Sequence, residues 1–216
     1  MARTPQTVEV RNSPLGGSRR FLLLAALLAG LVMLGTGAFL ALALHDTPRG
    51  VAGTALAGAI GGPFQLVDQN GKTVTDADLK GKWSLVYFGY THCPDACPTA
   101  LNDISIAVSE LGPKRDAVRP VFITVDPERD TPESLKAYVT SFDGPILALT
   151  GTAEQVAKAA KGYRVYYAKH PEAGGDYSMD HSSVIYVMDP EGRFTASFTH
   201  ESAPEQIAER LKKLLS

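Results

Sequence analysis

Phe21–Leu44 is an uncharged stretch of 24 residues, 20 of them apolar, and it divides the chain of 216 residues. As a helix at 1.5 Å per residue it would be about 36 Å long, enough to cross a hydrocarbon core of roughly 30 Å. The interior of one small domain has no use for such a segment, so the expected organisation is serial. A basic tail, residues 1–20, precedes a transmembrane anchor, 21–44. Arg3, Arg11, Arg19 and Arg20 lie before the stretch, while only His45, Asp46 and Arg49 follow closely. That asymmetry predicts an N-terminus in the cytoplasm and residues 45–216 in the periplasm or another extracytoplasmic space, tethered to the inner membrane. A cleaved signal peptide is the alternative, with Ala41-Leu42-Ala43 resembling a small-residue cleavage site, although 24 residues is long for a signal core. Both readings put the soluble part outside the cytoplasm.

Residues 45–62 include Thr47–Gly62 (TPRGVAGTALAGAIGG), whose Gly, Ala and Pro predict a flexible linker. One domain, residues 63–216, is expected to follow. The tail from His45 holds 17 Lys and Arg against 22 Asp and Glu, and has no basic run. It lacks the electrostatic footprint of a nucleic-acid binder. The two cysteines of the chain are too few for a four-cysteine zinc site or a disulfide scaffold.

Within the domain, Asp68-Gln69-Asn70-Gly71 between Phe64–Val67 and Thr73–Thr75 predicts an N-terminal β-hairpin. Trp83–Phe88 (WSLVYF) and Val121–Val125 (VFITV) are continuous apolar runs of the kind that form central strands. Helices are predicted over Pro98–Leu111, Pro132–Phe142, Ala153–Lys161 and Pro204–Leu215 from their apolar spacing and caps. Short strands are expected at Ile146–Leu149, Arg164–Tyr167, Ser183–Met188 and Phe194–Phe198. A strand, a cysteine-bearing turn and then a helix open a thioredoxin-like layout, so the predicted fold is α/β, a mixed sheet flanked by helices.

The turn reads Thr91-His92-Cys93-Pro94-Asp95-Ala96-Cys97-Pro98. Pro98 disfavours a regular helix through Cys93–Cys97 and suits the first position of the next helix, with Cys97 at its cap. Thiols at a helix N-terminus are biased towards thiolates. Three readings of the pair stay open: a structural disulfide, a dithiol redox catalyst, and a metal site completed from elsewhere. A bridge across so short a loop stabilises little, and redox motifs usually have two intervening residues where this one has three. A peroxidase would need an arginine partner, and none lies near Cys93 in sequence.

Of the five histidines, His181 lies just before the strand Ser183–Met188, where a thioredoxin-like fold faces the cysteine turn. Dithiol oxidoreductases of that fold usually carry a proline there, and this chain has none between Pro171 and Pro190. His181 is therefore the expected third donor, with Asp180 either a candidate partner for it or an ordinary turn residue. His92 should diverge from Cys93. Two thiolates and one imidazole form a soft donor set suited to copper(I), and copper(II) could be held with an added oxygen or nitrogen donor.

Thr91–Pro98 (THCPDACP), Val125–Glu133 (VDPERDTPE) and Asp180–Ser182 (DHS), in that order, resemble the Sco/SenC family over roughly residues 60–216. The resemblance implies a membrane-anchored, thioredoxin-fold copper chaperone for cytochrome c oxidase assembly. By that resemblance Cys93, Cys97 and His181 align with the family's copper ligands, and the metal would pass to the dinuclear copper site of oxidase subunit II. A copper donor and a thiol reductant are implied as further partners. Asp126, Arg129 and Asp130 fall in the second motif, where a strand end and helix entry account for them. Asp126 and Asp130 are alternatively candidates for shaping the surface near the metal. A thiol–disulfide reductase that keeps the oxidase's copper-site cysteines reduced is the competing function.

Overall fold

A computed structural model of the chain describes residues 60–216. The expected anchor at 21–44, the basic tail and nearly all of the linker lie outside the described residues. Among the described residues no helix is long and apolar enough to cross a membrane.

Among the described residues there are nine strands and four α-helices. They are β1 (Gln65–Asp68), β2 (Thr73–Thr75), β3 (Trp83–Gly89), α1 (Ala96–Ser109), β4 (Val118–Thr124), α2 (Pro132–Val139), β5 (Leu147–Thr150) and α3 (Ala153–Gly162). After these come β6 (Tyr167–Pro171), β7 (Tyr177–His181), β8 (Val184–Met188), β9 (Phe194–Thr199) and α4 (Pro204–Leu214). Seven strands make one mixed sheet in the order β2-β1-β5-β4-β3-β8-β9, and β6 pairs with β7 in a separate two-stranded sheet. The pairs β3–β4 and β4–β5 are parallel, and the remaining pairs of the large sheet are antiparallel. Leu85–Phe88 on β3 and Phe122–Thr124 on β4 are fully buried, as expected of strands covered on both faces. Helices α1 and α4 pack together, and α2 and α3 lie against β5 and β1.

Local chemistry explains the boundaries. The β1–β2 turn closes because Asp68 Oδ1 accepts from the N–H groups of Asn70 and Lys72, with Gly71 at φ 80°. Thr131 caps α2 by accepting from Ser134 N–H, with Pro132 in the first turn, and Thr152 and Gln155 form a reciprocal capping box on α3.

Three expectations need correction. Helix α1 starts at Ala96 with Asp95 as N-cap, so Cys97 lies within the first turn and Pro98 is its third residue. The first-turn N–H groups have no intrahelical acceptor, so a proline costs no hydrogen bond anywhere in that turn. The strand expected at Arg164–Tyr167 begins only at Tyr167: Arg164, just past the Tyr163 C-cap of α3, takes φ 57° and reverses the chain. His181 does not sit in a plain loop before β8 but ends strand β7 of the β6–β7 hairpin.

Candidate metal centre

The parallel strands β3 and β4 deliver their C-terminal ends to one edge of the sheet, where an open α/β sheet places ligands. The chain leaves β3 at Gly89, turns through Tyr90–Asp95 and enters α1. The turn is closed by Cys93 N–H donating to the Tyr90 carbonyl (3.2 Å). Asp95, the N-cap, makes no side-chain capping bond; instead the Cys97 N–H donates to Cys93 Sγ at 3.4 Å. Cys93 thus supplies an acceptor to the helix N-terminus from outside the helix, where the dipole favours negative charge.

The two sulfurs are unequal. Cys93 is partly exposed and Cys97 is fully buried, and neither is in a disulfide. The Cys97 thiol donating to Cys93, helped by His181 and by the N–H groups of Asp95 and Cys97, holds the Cys93 thiol down to about 3 against the cost of burial. The Cys97 thiol is pushed up by that same hydrogen bond, by burial and by the neighbouring thiolate. The reduced pair therefore carries one proton, on Cys97, and one charge, on the sulfur nearer solvent.

Cys97 is wedged tightly. A Cβ at Gly89 would come within 2.8 Å of Cys97 Sγ and 2.9 Å of the Phe122 ring. The Tyr87 hydroxyl also lies against it, 3.9 Å from Cys97 Sγ.

His181 arrives from the separate hairpin. Its Nε2 is 3.3 Å from Cys97 Sγ, and its Nδ1 is 3.4 Å from the Ser182 carbonyl. In the tautomer that binds an ion, the proton sits on Nδ1 and donates to that carbonyl, which frees the Nε2 lone pair for a metal between the sulfurs. The ring sits edge-on to Tyr87 and Tyr90, with centroids 6.0 and 5.9 Å away. The donor atoms of Cys93, Cys97 and His181 all lie within 4.8 Å of one another. Such a cluster offers two soft sulfurs and one nitrogen to a single ion.

The other candidate residues surround the site without entering it. Strand pleating puts Met179 and His181 on one face of β7 and Asp180 on the other. Asp180 accordingly faces His170, with 2.8 Å between Oδ2 and Nε2, and does not meet His181. Asp130 is completely buried and accepts from Thr91 N–H (3.0 Å), Thr91 Oγ1 (2.6 Å) and Thr124 Oγ1 (2.5 Å). It ties the start of the cysteine turn to the end of β4. Asp126, also buried, accepts from Arg129 Nε (2.6 Å) and the Tyr177 hydroxyl (2.7 Å). Its role extends beyond a strand end, because Tyr177 belongs to the hairpin that carries His181. His92 points to Thr91 and solvent, away from the sulfurs. The sequence does not point to Tyr87, Tyr90 and Tyr177 as neighbours of the site. Tyr87 and Tyr90 flank the cysteine turn in sequence, but Tyr177 carries no local signal.

A SCO1/SenC family model matches residues 52–216. Protein SCO1 homolog 1 of Arabidopsis thaliana is 47% identical over 137 residues, 63% of this chain and 41% of that protein. SCO2 of Saccharomyces cerevisiae is 43% identical over 161 residues, 71% of this chain and 54% of that protein. The match thus spans about half the length of these two mitochondrial relatives. A SCO2-like protein of Rickettsia prowazekii is 40% identical over 192 residues, 84% of this chain and 92% of the relative. Among solved structures, Bradyrhizobium japonicum ScoI with copper bound is 53% identical, with a TM-score of 0.68 over 72% of this chain and 99% of that one. The thioredoxin-like sheet, the paired cysteines at its edge and this extent of similarity agree: the chain belongs to the SCO1/SenC family.

Proposed function

We propose that this protein is a copper metallochaperone that binds copper through Cys93, Cys97 and His181 and delivers it to the dinuclear copper site of cytochrome c oxidase subunit II. The observation that carries the reading is the convergence of two thiols and one imidazole within 4.8 Å, with one sulfur accessible. Support comes from the copper-bound structures of ScoI from Bradyrhizobium japonicum and from Arabidopsis thaliana, which is 42% identical with a TM-score of 0.68. BsSco, 26% identical with a TM-score of 0.59, is described as a member of the Sco family of cytochrome c oxidase assembly proteins. In this proposal residues 21–44 anchor the protein in the inner membrane, residues 1–20 stay in the cytoplasm, and the linker 45–62 carries the copper domain 63–216 on the other side.

Loading starts from the reduced pair. A copper donor delivers the ion to the Cys93 thiolate, Cys97 gives up its proton as its sulfur binds, and His181 Nε2 completes the set. Release runs by ligand exchange. A thiolate of the recipient forms a sulfur–copper bond at the open side as the bond to Cys93 breaks, and a second exchange then frees Cys97 and His181. The wild-type protein, reduced, should bind one copper ion. His181→Ala should lower copper(II) affinity at least about tenfold. Equal retention of copper(I) and copper(II) by His181→Ala and wild type means that the ligand assignment is wrong.

The depressed Cys93 thiol favours one second reading, a thiol–disulfide reductase acting on the oxidase's copper-site cysteines. The Cys93 thiolate would attack one sulfur of the recipient's disulfide and release the other as a thiol. Cys97 would then form the Cys93–Cys97 disulfide and free the second recipient thiol. Two electrons pass to the recipient, and an external dithiol must reduce the pair again. BsSco is described by a disulfide switch. Thiol exchange that survives His181→Ala but not Cys93→Ser marks this activity.

A further inference from the structure

The third donor is held differently from the other two. Cys93 and Cys97 are fixed by β3 and α1, whereas His181 rides on the β6–β7 hairpin, which forms its own sheet. Tyr177, Met179 and His181 project from one face of β7, because side chains alternate. Met179 is buried in the core and His181 reaches the sulfurs. At the far end, Tyr177 is locked to the segment that follows β4. Its hydroxyl donates to Asp126 Oδ1 (2.7 Å), and its ring lies under the Arg129 guanidinium, 3.7 Å from ring centroid to Cζ. Arg129 in turn donates through Nε to Asp126 Oδ2 (2.6 Å) and through Nη1 to the Tyr177 carbonyl (2.9 Å).

These contacts are sheltered: the Asp126 side chain is 3% exposed and that of Arg129 17%. Among the hairpin's other ties, Lys169 to Glu128 joins two exposed side chains and holds little, and Asp176 reaches Arg129 from an exposed position. Arg129 Nη2 is buried with no protein acceptor among the described residues.

We infer that Asp126, Arg129 and Tyr177 form a latch that positions His181 against the cysteine sulfurs, and that its opening withdraws the imidazole while the two sulfurs stay in place. The consequence for copper release rests on the ligand set proposed above; the latch itself does not. Tyr177 is four residues from His181, about 13 Å along an extended strand, so a shift at the latch is carried to the imidazole by the strand itself. Arg129 and Tyr177 are positioning residues, since neither touches the donor atoms.

The test uses the full-length protein with Arg129→Gln, Arg129→Lys and the milder Tyr177→Phe, which keeps the ring and removes only the bond to Asp126. Two readouts need no metal: amide hydrogen exchange across Tyr177–His181, and the ring-proton shifts of His181 set by Tyr87 and Tyr90. Arg129→Gln should speed hairpin exchange at least about tenfold, leave β3 and β4 unchanged and move the His181 shifts, with Tyr177→Phe in the same direction. Arg129→Lys should not restore the wild-type values, because an ammonium can neither fork to two acceptors nor lie flat on Tyr177. With copper(II), the Arg129→Gln spectrum should move towards that of His181→Ala. Wild-type exchange or wild-type His181 shifts in both Arg129→Gln and Tyr177→Phe overturn the latch, whatever the metal does. A copper spectrum unaffected by His181→Ala sinks the ligand assignment instead, and the two metal-free readouts then decide the latch alone.

Discussion

Replacing Gly89 with alanine tests whether the depth of Cys97 is set by the contact between β3 and α1. Gly89 does not have a left-handed backbone, so alanine meets no dihedral penalty there. What it meets is steric: the new methyl would lie 2.8 Å from Cys97 Sγ, 2.9 Å from Phe122 Cε2 and 3.1 Å from Tyr87 Cε1. The first contact is about 0.6 Å inside the 3.4 Å at which ordinary packing begins, on the steep wall of the potential. None of the three neighbours is the free end of a flexible chain; Cys97, Phe122 and Tyr87 are all fully buried. The methyl must push the sulfur, both rings or β3 itself. Overpacking of this kind costs about 1–3 kcal/mol. Urea unfolding of the reduced, metal-free protein measures that cost, and the copper(II) charge-transfer spectrum reports where the sulfur has gone. We expect a loss of unfolding free energy in that range together with an altered spectrum. A variant that unfolds within about 0.5 kcal/mol of wild type and gives its spectrum would refute the steric reasoning, since surface-like tolerance is not expected here.

Two further outcomes follow from the charges around the turn. With the Cys93 thiol held down to about 3, the reduced protein should be alkylated at Cys93 by iodoacetamide at pH 5 as well as at pH 7, with Cys97 spared; peptide mapping by mass spectrometry that finds Cys93 unreactive at pH 5 contradicts the charge assignment. Burial raises the Asp130 carboxyl above its ordinary 3.8, against the bonds from Thr124 and Thr91, so its contribution to stability is full below 3.8 and is lost as pH rises through the folded value. Relative to Asp130→Asn, wild type should therefore lose unfolding free energy as pH rises from 4, and a difference that stays flat between pH 4 and 7 rules this out.

Strands β3 and β4 and the starts of α2 and α3 are legible in the sequence because their causes are local: runs such as WSLVYF, and Thr131 or Thr152 before a helix. The cysteine pair and His181 are legible for a related reason, since each lies beside a recognisable strand. The β6–β7 hairpin is not. Tyr167–Pro171 (YAKHP) and Tyr177–His181 (YSMDH) bury little and show no clean apolar alternation. Their pairing is settled by Met179 entering the core and by Tyr177 meeting Asp126. The purpose of Asp126 was hidden likewise, because its partner Tyr177 lies 51 residues further along the chain. Asp180 meets His170 and not the adjacent His181, because neighbours on a strand face opposite ways.

The span between Cys97 and His181 has a consequence for folding. These donors are 84 residues apart, yet one ion can join them. An ion bound at both ends closes that length of chain into a loop, removing about 4–5 kcal/mol of conformational entropy from the unfolded ensemble if the linkage persists there. Even without such persistence, binding to the folded form alone stabilises it by mass action. On the proposed function copper is then cargo and staple at once. Each delivery would return the protein to a more easily unfolded form, so a protease able to cleave the open chain would distinguish carriers that have just unloaded from those still loaded.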